Sequence, residues 1–327
     1  MWKLKEIAST SVQRAQRGVW KILLLFAAML ILVPLTLMLS SCGGGGTGSN
    51  IVGPPRDNTP VVLQVHQPGV LVVADERAVL DFSNASDGYI CVLSYLEGIV
   101  VKVLVEVQSQ GVQYQYTINS PGEYITIPLS EGNGLYSVGV WQNTSGDQYS
   151  AVFAQDIDVV ITDEFTPFLY PSQFVSFAYG DASTNLSQQL AVGAVTDVDA
   201  INNIYRWVCD NISYDMEKAA TVASGYLPNN TNTINSGEGI CFDYAVLTAS
   251  MLRAQRVPSK LVIGYAGTAY HAWMEVYSEE SGTIFTYRFD GERWVTMDPT
   301  FDAAAGGAVD LAQVIGDGNN YQPMFYY

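Results

Sequence analysis

The chain has 327 residues, of which 48% are hydrophobic, and it contains 20 Tyr, 12 Phe and 6 Trp. A chain of this length and composition can bury more than one core, which excludes a disordered or low-complexity protein. Its 15 Lys and Arg face 32 Asp and Glu, for a formal net charge of −17, and because such a surface repels phosphate backbones we expect no nucleic acid among its partners.

The first 41 residues have the composition of a secretory signal peptide. A basic stretch is followed by an apolar stretch over residues 22–39 and then by Leu-Ser-Ser-Cys, which ends at Cys42. This ending resembles the lipobox of bacterial lipoproteins, and the resemblance implies that Cys42 is acylated and becomes the first residue of the mature chain. We therefore expect an exported protein, anchored by N-terminal acyl chains to the cell membrane or outer membrane and facing the periplasm or the extracellular space.

An uncleaved transmembrane anchor is the alternative, since an apolar stretch of this length is just enough to span a bilayer. Removing residues 1–41 takes away five of the 15 basic and one of the 32 acidic residues, which leaves 10 against 31 and a net charge of −21. Residues 42–59 are rich in Gly and Pro, and this composition predicts a flexible tether that holds the folded part off the membrane.

Residues 60–164 alternate between apolar and polar side chains, with turn sequences between the alternating runs. One such run carries Val101, Val103, Val105 and Val107 on one face. Short strands at this spacing predict an antiparallel β-sandwich of the immunoglobulin-like kind. This region contains no catalytic grouping, and its isolated His66 is expected to be a surface or packed residue. A partner, a glycan or a spacer role remain equally open for it.

Residues 165–327 carry the candidate chemistry. Apolar residues at helical spacing predict a helix over 197–211, capped by Thr196 or Asp197. The polar, glycine-containing stretch 224–239 is interpreted as a loop, and a second helix is predicted over 240–256, ended by Pro258.

Cys241 would therefore lie in the first turn of the second helix. Unpaired backbone N–H groups at a helix N-terminus stabilise a thiolate. Glycines at 237 and 239 would permit a tight entry into the helix and leave the sulfur accessible. A buried and inert cysteine is the competing interpretation.

His271 is the only histidine of the C-terminal region, so any imidazole chemistry there must use it. Residues 270–277 and 294–298 both alternate, and the polar stretch between them could join two antiparallel strands as a hairpin with its own extensions. Such a pair would set His271 beside Asp298, whose carboxylate would hold one ring nitrogen and leave the other for the sulfur. A thiol, an imidazole and a carboxylate are the parts of an acyl-transfer enzyme.

The stretch from about 195 to 301 contains a series of characteristic blocks: Gly-Ile-Cys-Phe-Asp-Tyr-Ala at 239–245, Met-Leu-Arg-Ala-Gln-Arg-Val-Pro-Ser-Lys-Leu-Val at 251–262, Gly-Tyr at 264–265, His-Ala-Trp-Met-Glu-Val at 271–276 and Asp-Pro-Thr-Phe at 298–301. With these blocks the stretch resembles the transglutaminase-like superfamily. The resemblance implies an α+β, papain-like fold in which Cys241 is the nucleophile, His271 the general base and then acid, and Asp298 the residue that orients the imidazole.

Members of this superfamily stabilise the oxyanion with the backbone N–H of the cysteine and an upstream side chain. Trp207, Tyr214 and Asn235 are the candidates for that second donor. The sequence has no paired histidines, no Cys-x-x-Cys and no EF-hand loop, so we expect neither a metal nor another cofactor. A disulfide between Cys91 and Cys209 would be permitted in an exported protein, but unpaired buried thiols are the simpler expectation.

These observations divide the chain into a lipoprotein signal peptide (1–41), a tether (42–59), a β-sandwich domain (60–164) and a transglutaminase-like catalytic domain (165–327). The function that they favour is acyl transfer from, or hydrolysis of, peptide or glutamine amides, with a protein or peptide as substrate. A cysteine peptidase of the cell envelope is the neighbouring alternative. A scaffold that binds peptides without catalysis is the alternative from another class.

Overall fold

The computed structural model describes residues 54–304 and 320–327. The predicted signal peptide, Cys42 and most of the predicted tether lie outside these residues. Across the described part of the chain, no helix combines the length and the apolar composition needed to cross a bilayer.

Residues 72–159 form eight strands in two sheets, in which every neighbouring pair is antiparallel. One sheet has the order β1-β2-β3-β6 and the other β5-β4-β7-β8. The strands are β1 (Val72–Ala74), β2 (Ala78–Asp81), β3 (Tyr89–Ser94), β4 (Val101–Val107), β5 (Val112–Ile118), β6 (Tyr124–Pro128), β7 (Gly134–Ser145) and β8 (Gln148–Val159).

The alternating sequence explains these strands. In β4 the four valines at odd positions are buried, while Glu106 between them is exposed. The prediction of an antiparallel β region ahead of an α+β domain is confirmed. Strand β3 was not singled out from the sequence, because its residues, Tyr89–Ser94, are all buried and do not alternate.

The C-terminal domain combines helices with a four-stranded antiparallel sheet of order β15-β12-β11-β16. Helix α5 packs against β11 and β12. The elements are α1 (Ala182–Leu190), α2 (Asp197–Asn211), β9 (Ser213–Tyr214), α3 (Met216–Thr221), α4 (Asn230–Ser236), β10 (Glu238–Gly239), α5 (Cys241–Ala254), β11 (Ser259–Ala266), β12 (Ala269–Val276), β13 (Gly282–Ile284), β14 (Tyr287–Phe289), β15 (Val295–Met297), α6 (Pro299–Ala304) and β16 (Tyr321–Tyr326).

The two predicted helices are present. Helix α2 has the predicted bounds and starts with a capping box, in which the Thr196 side chain accepts from Asp199 N and the Asp199 carboxylate accepts from Thr196 N, each at 3.0 Å. Helix α5 ends at Ala254, two residues before the predicted end, because Arg256 adopts a left-handed φ of 65°.

The interpretation of residues 224–239 as a loop was wrong for α4 and β10. Helix α4 forms because the Asn229 side chain caps it, accepting from Asn232 N at 2.9 Å. Strand β10 pairs in parallel with β9, which sets Gly239, two residues before Cys241, opposite Tyr214.

The β domain and the C-terminal domain share one continuous hydrophobic core. Aromatic rings connect the two domains: Tyr114 and Tyr116 of β5 contact Tyr327 at centroid distances of 5.5 and 6.0 Å. Phe174 lies between these groups, 5.5 Å from Tyr116 and 4.3 Å from Tyr327. The β domain therefore supports the C-terminal strand β16 and the residue that follows it.

Residues 54–61 form a segment that we call the strap, which crosses the C-terminal domain before the chain enters the β domain. Arg56 donates to the side chain and the backbone carbonyl of Gln255 at 3.0 and 2.7 Å and pairs with Asp197 at 2.7 Å. Val61 N donates to Ala254 O at 2.8 Å. The part of the predicted tether within the described residues is thus bound at the end of α5 that lies opposite Cys241.

Candidate active site

Cys241 is the first residue of α5, and its side chain is half-buried. Ile240, in extended conformation, is the N-cap residue. A Cβ atom at Gly239 would lie 2.7 Å from the Cβ of Asp243, so only glycine permits this close entry into the helix. The sulfur therefore lies at the end of a helix where backbone N–H groups have no partners within the helix.

Asp243 fixes this first turn from inside. Its fully buried carboxylate accepts from Ile240 N at 2.8 Å, from Lys218 Nζ at 2.7 Å and from Tyr226 Oη at 2.5 Å. Lys218 and Tyr226 belong to the segment between β9 and α4. The carboxylate thus ties this segment to the helix turn that carries Cys241.

His271 lies on β12, and its Nε2 is 2.6 Å from Asp298 Oδ2. Strands β12 and β15 are antiparallel neighbours, with Met274 opposite Met297. Met297 is the last residue of β15, and Asp298 follows it directly. The ring of Phe301 stacks on the imidazole at 4.8 Å and 21°. Both the hydrogen bond and the stacked ring hold the imidazole in one orientation.

The charge of Cys241 acts on His271, so the two side chains lie near each other. Burial of the ring, the largest single effect, lowers the pKa of His271, but the charges of Asp298 and Cys241 and the hydrogen bond to Asp298 outweigh it. The pKa of His271 is therefore raised from 6.5 to about 10. Because Nε2 faces Asp298, Nδ1 is the nitrogen that remains for the sulfur, and a charged imidazolium beside it stabilises a thiolate.

Asp298 is fully buried and every oxygen of its carboxylate has donors. Oδ1 accepts from Thr300 N at 3.1 Å and from Phe301 N at 3.2 Å. Oδ2 accepts from His271 and also from Tyr321 Oη at 2.8 Å. Four donors replace the water that an ionised carboxylate loses on burial.

A second buried layer lies behind Asp298. Tyr287 Oη accepts from Asp298 N at 3.3 Å and donates to Asp302 Oδ2 at 2.8 Å. Tyr205 of α2 donates to the same Asp302 oxygen at 2.6 Å. Burial raises the pKa of Asp302, while its bonds to the two tyrosines act in the opposite direction. This layer fixes the backbone that supports the Asp298 carboxylate.

The three candidates for the second oxyanion donor lie on different elements. Trp207 is half-buried on α2 and Asn235 is exposed on α4. Tyr214 is half-buried at the end of β9, where burial and then the charge of Cys241 raise its pKa, so that its hydroxyl stays protonated. Among the described residues this hydroxyl has no hydrogen-bond partner, which leaves it available as a donor.

All three cysteines in the described part of the chain are free, so Cys91 and Cys209 form no disulfide. Burial raises the pKa of the Cys91 thiol to about 11. Burial, and then the nearby carboxylates, also raise the pKa of Cys209, whose sulfur donates to Pro299 O at 3.7 Å. These two thiols lack the helix terminus and the imidazole that Cys241 has.

The contacts of Asp298 with Tyr321 and Tyr287 could not be anticipated from the sequence. Tyr321 is the first residue of β16, the strand Tyr321–Tyr326. A strand pattern indicates which side chains are buried, but it does not indicate where a hydroxyl at its first residue donates. The only sequence feature that hinted at these contacts was the large number of tyrosines in the region of the predicted triad.

Comparison with known proteins agrees with the family resemblance. Residues 184–299 match the model of the Transglutaminase-like superfamily. A curated relative, UPF0252 protein MJ1282 of Methanocaldococcus jannaschii, is 32% identical over 88 residues, which are 23% of this chain. The match spans about a quarter of the length of that relative, 25%.

Two solved structures that the chain is similar to share little of its sequence. A candidate cysteine protease from Cytophaga hutchinsonii is 14% identical, with 73% of this chain and 83% of that chain covered and a TM-score of 0.37. Red sea bream transglutaminase is 12% identical, with 65% of this chain and 48% of that chain covered and a TM-score of 0.27.

Proposed function

We propose that this protein, whose residues 184–299 match the transglutaminase-like superfamily, is an exported, lipid-anchored cysteine enzyme. Cys241, His271 and Asp298 would form its triad, which transfers the acyl group of peptide or glutamine amides to an amine or to water. The observation that carries the proposal is the proximity of Cys241, at a helix N-terminus, to the hydrogen-bonded pair His271 and Asp298.

The reaction follows from this geometry. Transfer of the Cys241 thiol proton to His271 gives a thiolate beside an imidazolium, and the sulfur then attacks the amide carbonyl carbon to give a tetrahedral oxyanion. The Cys241 backbone N–H and Tyr214 Oη donate to that oxygen in our proposal. The carbon–nitrogen bond then breaks, His271 gives its proton to the leaving ammonia or amine, and a thioester remains on the sulfur.

A second nucleophile completes the cycle. His271 removes a proton from an incoming amine or water, which attacks the thioester, and the sulfur leaves and takes up the proton. An amine acceptor gives a new amide, whereas water gives a carboxylic acid. Transferase, amidase and peptidase outcomes share these residues, so the choice between them depends on the acceptor that reaches the thioester.

The test compares the parent protein with Cys241→Ala, and with Cys209→Ala as the matched control. Each protein is incubated with glutamine peptides and with cell-wall peptides, with and without a fluorescent primary amine. We expect Cys241→Ala to lose amine incorporation and ammonia release, and Cys209→Ala to retain them. Turnover that survives in Cys241→Ala would remove the basis of the proposal.

Iodoacetamide labelling followed by peptide mapping separates an enzyme from a peptide-binding scaffold. An enzyme of this kind has a Cys241 that is alkylated much faster than Cys91 and Cys209. A scaffold would show no such preference, although it would still bind the peptides.

Lipid anchoring has its own test, because it concerns residues before the strap. Cells that express the parent chain are fed an alkyne fatty acid, and the membrane fraction is probed for the labelled protein. We expect label and membrane association in the parent and neither in Cys42→Ala. An unlabelled parent that stays in the membrane would favour the transmembrane anchor instead.

A further inference from the structure

One contact of the triad carboxylate has no part in the reaction described above. Tyr321 Oη donates to Asp298 Oδ2 at 2.8 Å, and the same oxygen holds His271 Nε2 at 2.6 Å. The Tyr321 side chain is buried, with only 7% exposed, and its ring packs edge-on against Trp273 at 4.8 Å. The hydroxyl is therefore held in place by packing as well as by the carboxylate.

This hydroxyl acts only as a donor. Burial and then the charge of Asp298 raise the pKa of Tyr321, so its proton stays in place wherever the protein is folded. When two donors bind the same carboxylate oxygen, they share its negative charge. Each donor then interacts with less of that charge than it would as the sole donor. Tyr321 thus competes with His271 for the charge of one oxygen atom.

We propose that Tyr321 sets the pH range in which the triad works, by withdrawing charge from the Asp298 oxygen that holds His271. This inference rests on the proposed function, and it makes Tyr321 a positioning and tuning residue rather than a catalytic one. Tyr321 is supplied by the edge strand β16, which pairs with β11 through Ala266 opposite Tyr321.

The direction of the effect follows from electrostatics. Without the hydroxyl, the Asp298 oxygen becomes more negative, and a more negative potential makes every group of the triad hold its proton more tightly. The acid limb of a reactivity profile and the loss of the His271 proton must therefore both move to higher pH. Asp298 keeps three other donors, so we expect a displacement of about one pH unit, which is tenfold in proton affinity.

Other titratable groups face this carboxylate and its neighbours, and all of them remain in a Tyr321 variant. A displacement between the parent and the variant therefore reports the Tyr321 hydroxyl. These groups come from six elements: Cys241 on α5, His271 on β12, Tyr287 on β14, Asp302 on α6, Tyr205 and Cys209 on α2, and Tyr214 on β9.

The first experiment measures the iodoacetamide alkylation rate of Cys241 against pH in the parent, in Tyr321→Phe and in Tyr326→Phe. Tyr326 is the matched control, because it ends the same strand and its hydroxyl makes no bond to Asp298. We expect the acid limb of Tyr321→Phe to lie about one unit above that of the parent, with Tyr326→Phe unchanged. A slower rate without displacement, or superimposable profiles, would overturn the inference.

A second variant covers the case in which Tyr321→Phe does not fold. Site-specific replacement of Tyr321 by 3-fluorotyrosine keeps the ring and the hydroxyl but makes the hydroxyl a stronger donor. We expect the acid limb to move to lower pH, opposite to the effect of Phe. A shift to higher pH, or none, would contradict the proposed role.

A spectroscopic measurement separates this inference from the proposed function. The chain has only 2 histidines, so labelling histidine with ¹⁵N resolves the ring signals of His271 directly. Loss of the His271 proton should occur at higher pH in Tyr321→Phe than in the parent, even if Cys241 proves unreactive. An unreactive Cys241 would refute the enzyme, whereas an unmoved His271 titration would refute the role of Tyr321.

Discussion

A Cβ atom at Gly264 would lie 2.2 Å from the carbonyl oxygen of Gln322 and 2.9 Å from the ring of Trp273. Gly264 lies in β11, directly opposite His271 on one side and opposite Pro323 of β16 on the other. The missing side chain allows β16 to approach closely. The glycine of the Gly-Tyr block is thus explained by packing of the strand that delivers Tyr321.

Substitution of Gly264 should therefore destabilise the protein. We expect Gly264→Ala to lower the free energy of unfolding by about 3 kcal/mol, because backbone atoms of β16 must move to accept the methyl group. Denaturant unfolding measures this change. Gly267→Ala is the control: its site at the β11–β12 turn is open, and only its φ of 59° is unfavourable, so a loss of about 1 kcal/mol is expected. Equal losses of unfolding free energy in Gly264→Ala and Gly267→Ala would show that the close approach of β16 to Gly264 is unimportant.

The sequence predicted those helices and strands whose conformation is determined by residues close together in the chain. The bounds of α2 follow from its apolar periodicity and from Thr196, which forms the capping box. Helix α1 escaped detection because the nine residues of Ala182–Leu190 are mostly Ser, Thr, Asn and Gln. The Asp181 side chain that caps it and its contacts with α5 decide its conformation, and tertiary contacts of this kind leave no periodic signal.

The three candidate triad residues could be singled out because each lies in a short block of characteristic sequence. The residues that hold them in place could not be singled out, because they come from distant parts of the chain. Tyr321 reaches Asp298 across 23 residues, and Arg56 reaches Gln255 across 199 residues. Hydrogen bonds at such separations depend on the assembled fold. The Pro-rich residues 54–59 illustrate this, since their composition predicts a tether and says nothing of a docking site.

Removal of the Asp243 carboxylate should loosen the turn that carries Cys241. Asp243→Ala leaves Ile240 N and Lys218 Nζ without their acceptor, and breaking a buried pair costs about 3 kcal/mol. Calorimetry should show this loss, and the alkylation rate of Cys241 should fall with it. Arg293→Ala, which removes a surface pair with Asp290 whose arginine is 69% exposed, should change stability by less than about 1 kcal/mol. A Cys241 that reacts normally in Asp243→Ala would show that the turn holds without this residue.

The strap should contribute stability without affecting the chemistry. Gln255 is fully buried, and its side chain bonds Arg56, Asn58 O and Ser187, so Gln255→Ala should cost about 2 kcal/mol. Helix α5 separates Gln255 from Cys241 by about 20 Å, so the alkylation rate should stay at the parent value in the folded variant. Asn58→Ala, which removes one exposed bond to Gln188 O, is the control and should cost about 0.5 kcal/mol or less. If Cys241 were alkylated more slowly in folded Gln255→Ala than in the parent, the two ends of α5 would be coupled.

Tyr214→Phe should slow the chemical step. If its hydroxyl donates to the oxyanion, its loss should reduce kcat about 100-fold with little change in KM, because the bond strengthens only in the transition state. Steady-state kinetics on the best peptide substrate would show whether kcat falls while KM stays nearly constant. Asn235→Ala and Trp207→Phe test the other two candidates in the same assay. A large kcat loss in either of these, with an active Tyr214→Phe, would reassign the donor.

The imidazole should also make stability depend on pH. The pKa of His271 in the folded protein is about 10, above its ordinary value of 6.5. Folding is therefore stabilised fully below the ordinary value, where both states are protonated, and this contribution is lost as pH rises through the folded value. We expect the difference in free energy of unfolding between the parent and His271→Gln to be constant at low pH and to decline from about 6.5 to about 10. Denaturant unfolding across that range measures it.

The control for this experiment is His66→Gln, which removes an exposed histidine of the β domain. Its free energy of unfolding should decline with pH as in the parent, because His271 and Asp298 are unchanged. Other groups that titrate in the same window are common to all three proteins and cancel in the differences. If His271→Gln declined with pH in parallel with the parent, the ion pair between His271 and Asp298 would not exist in solution.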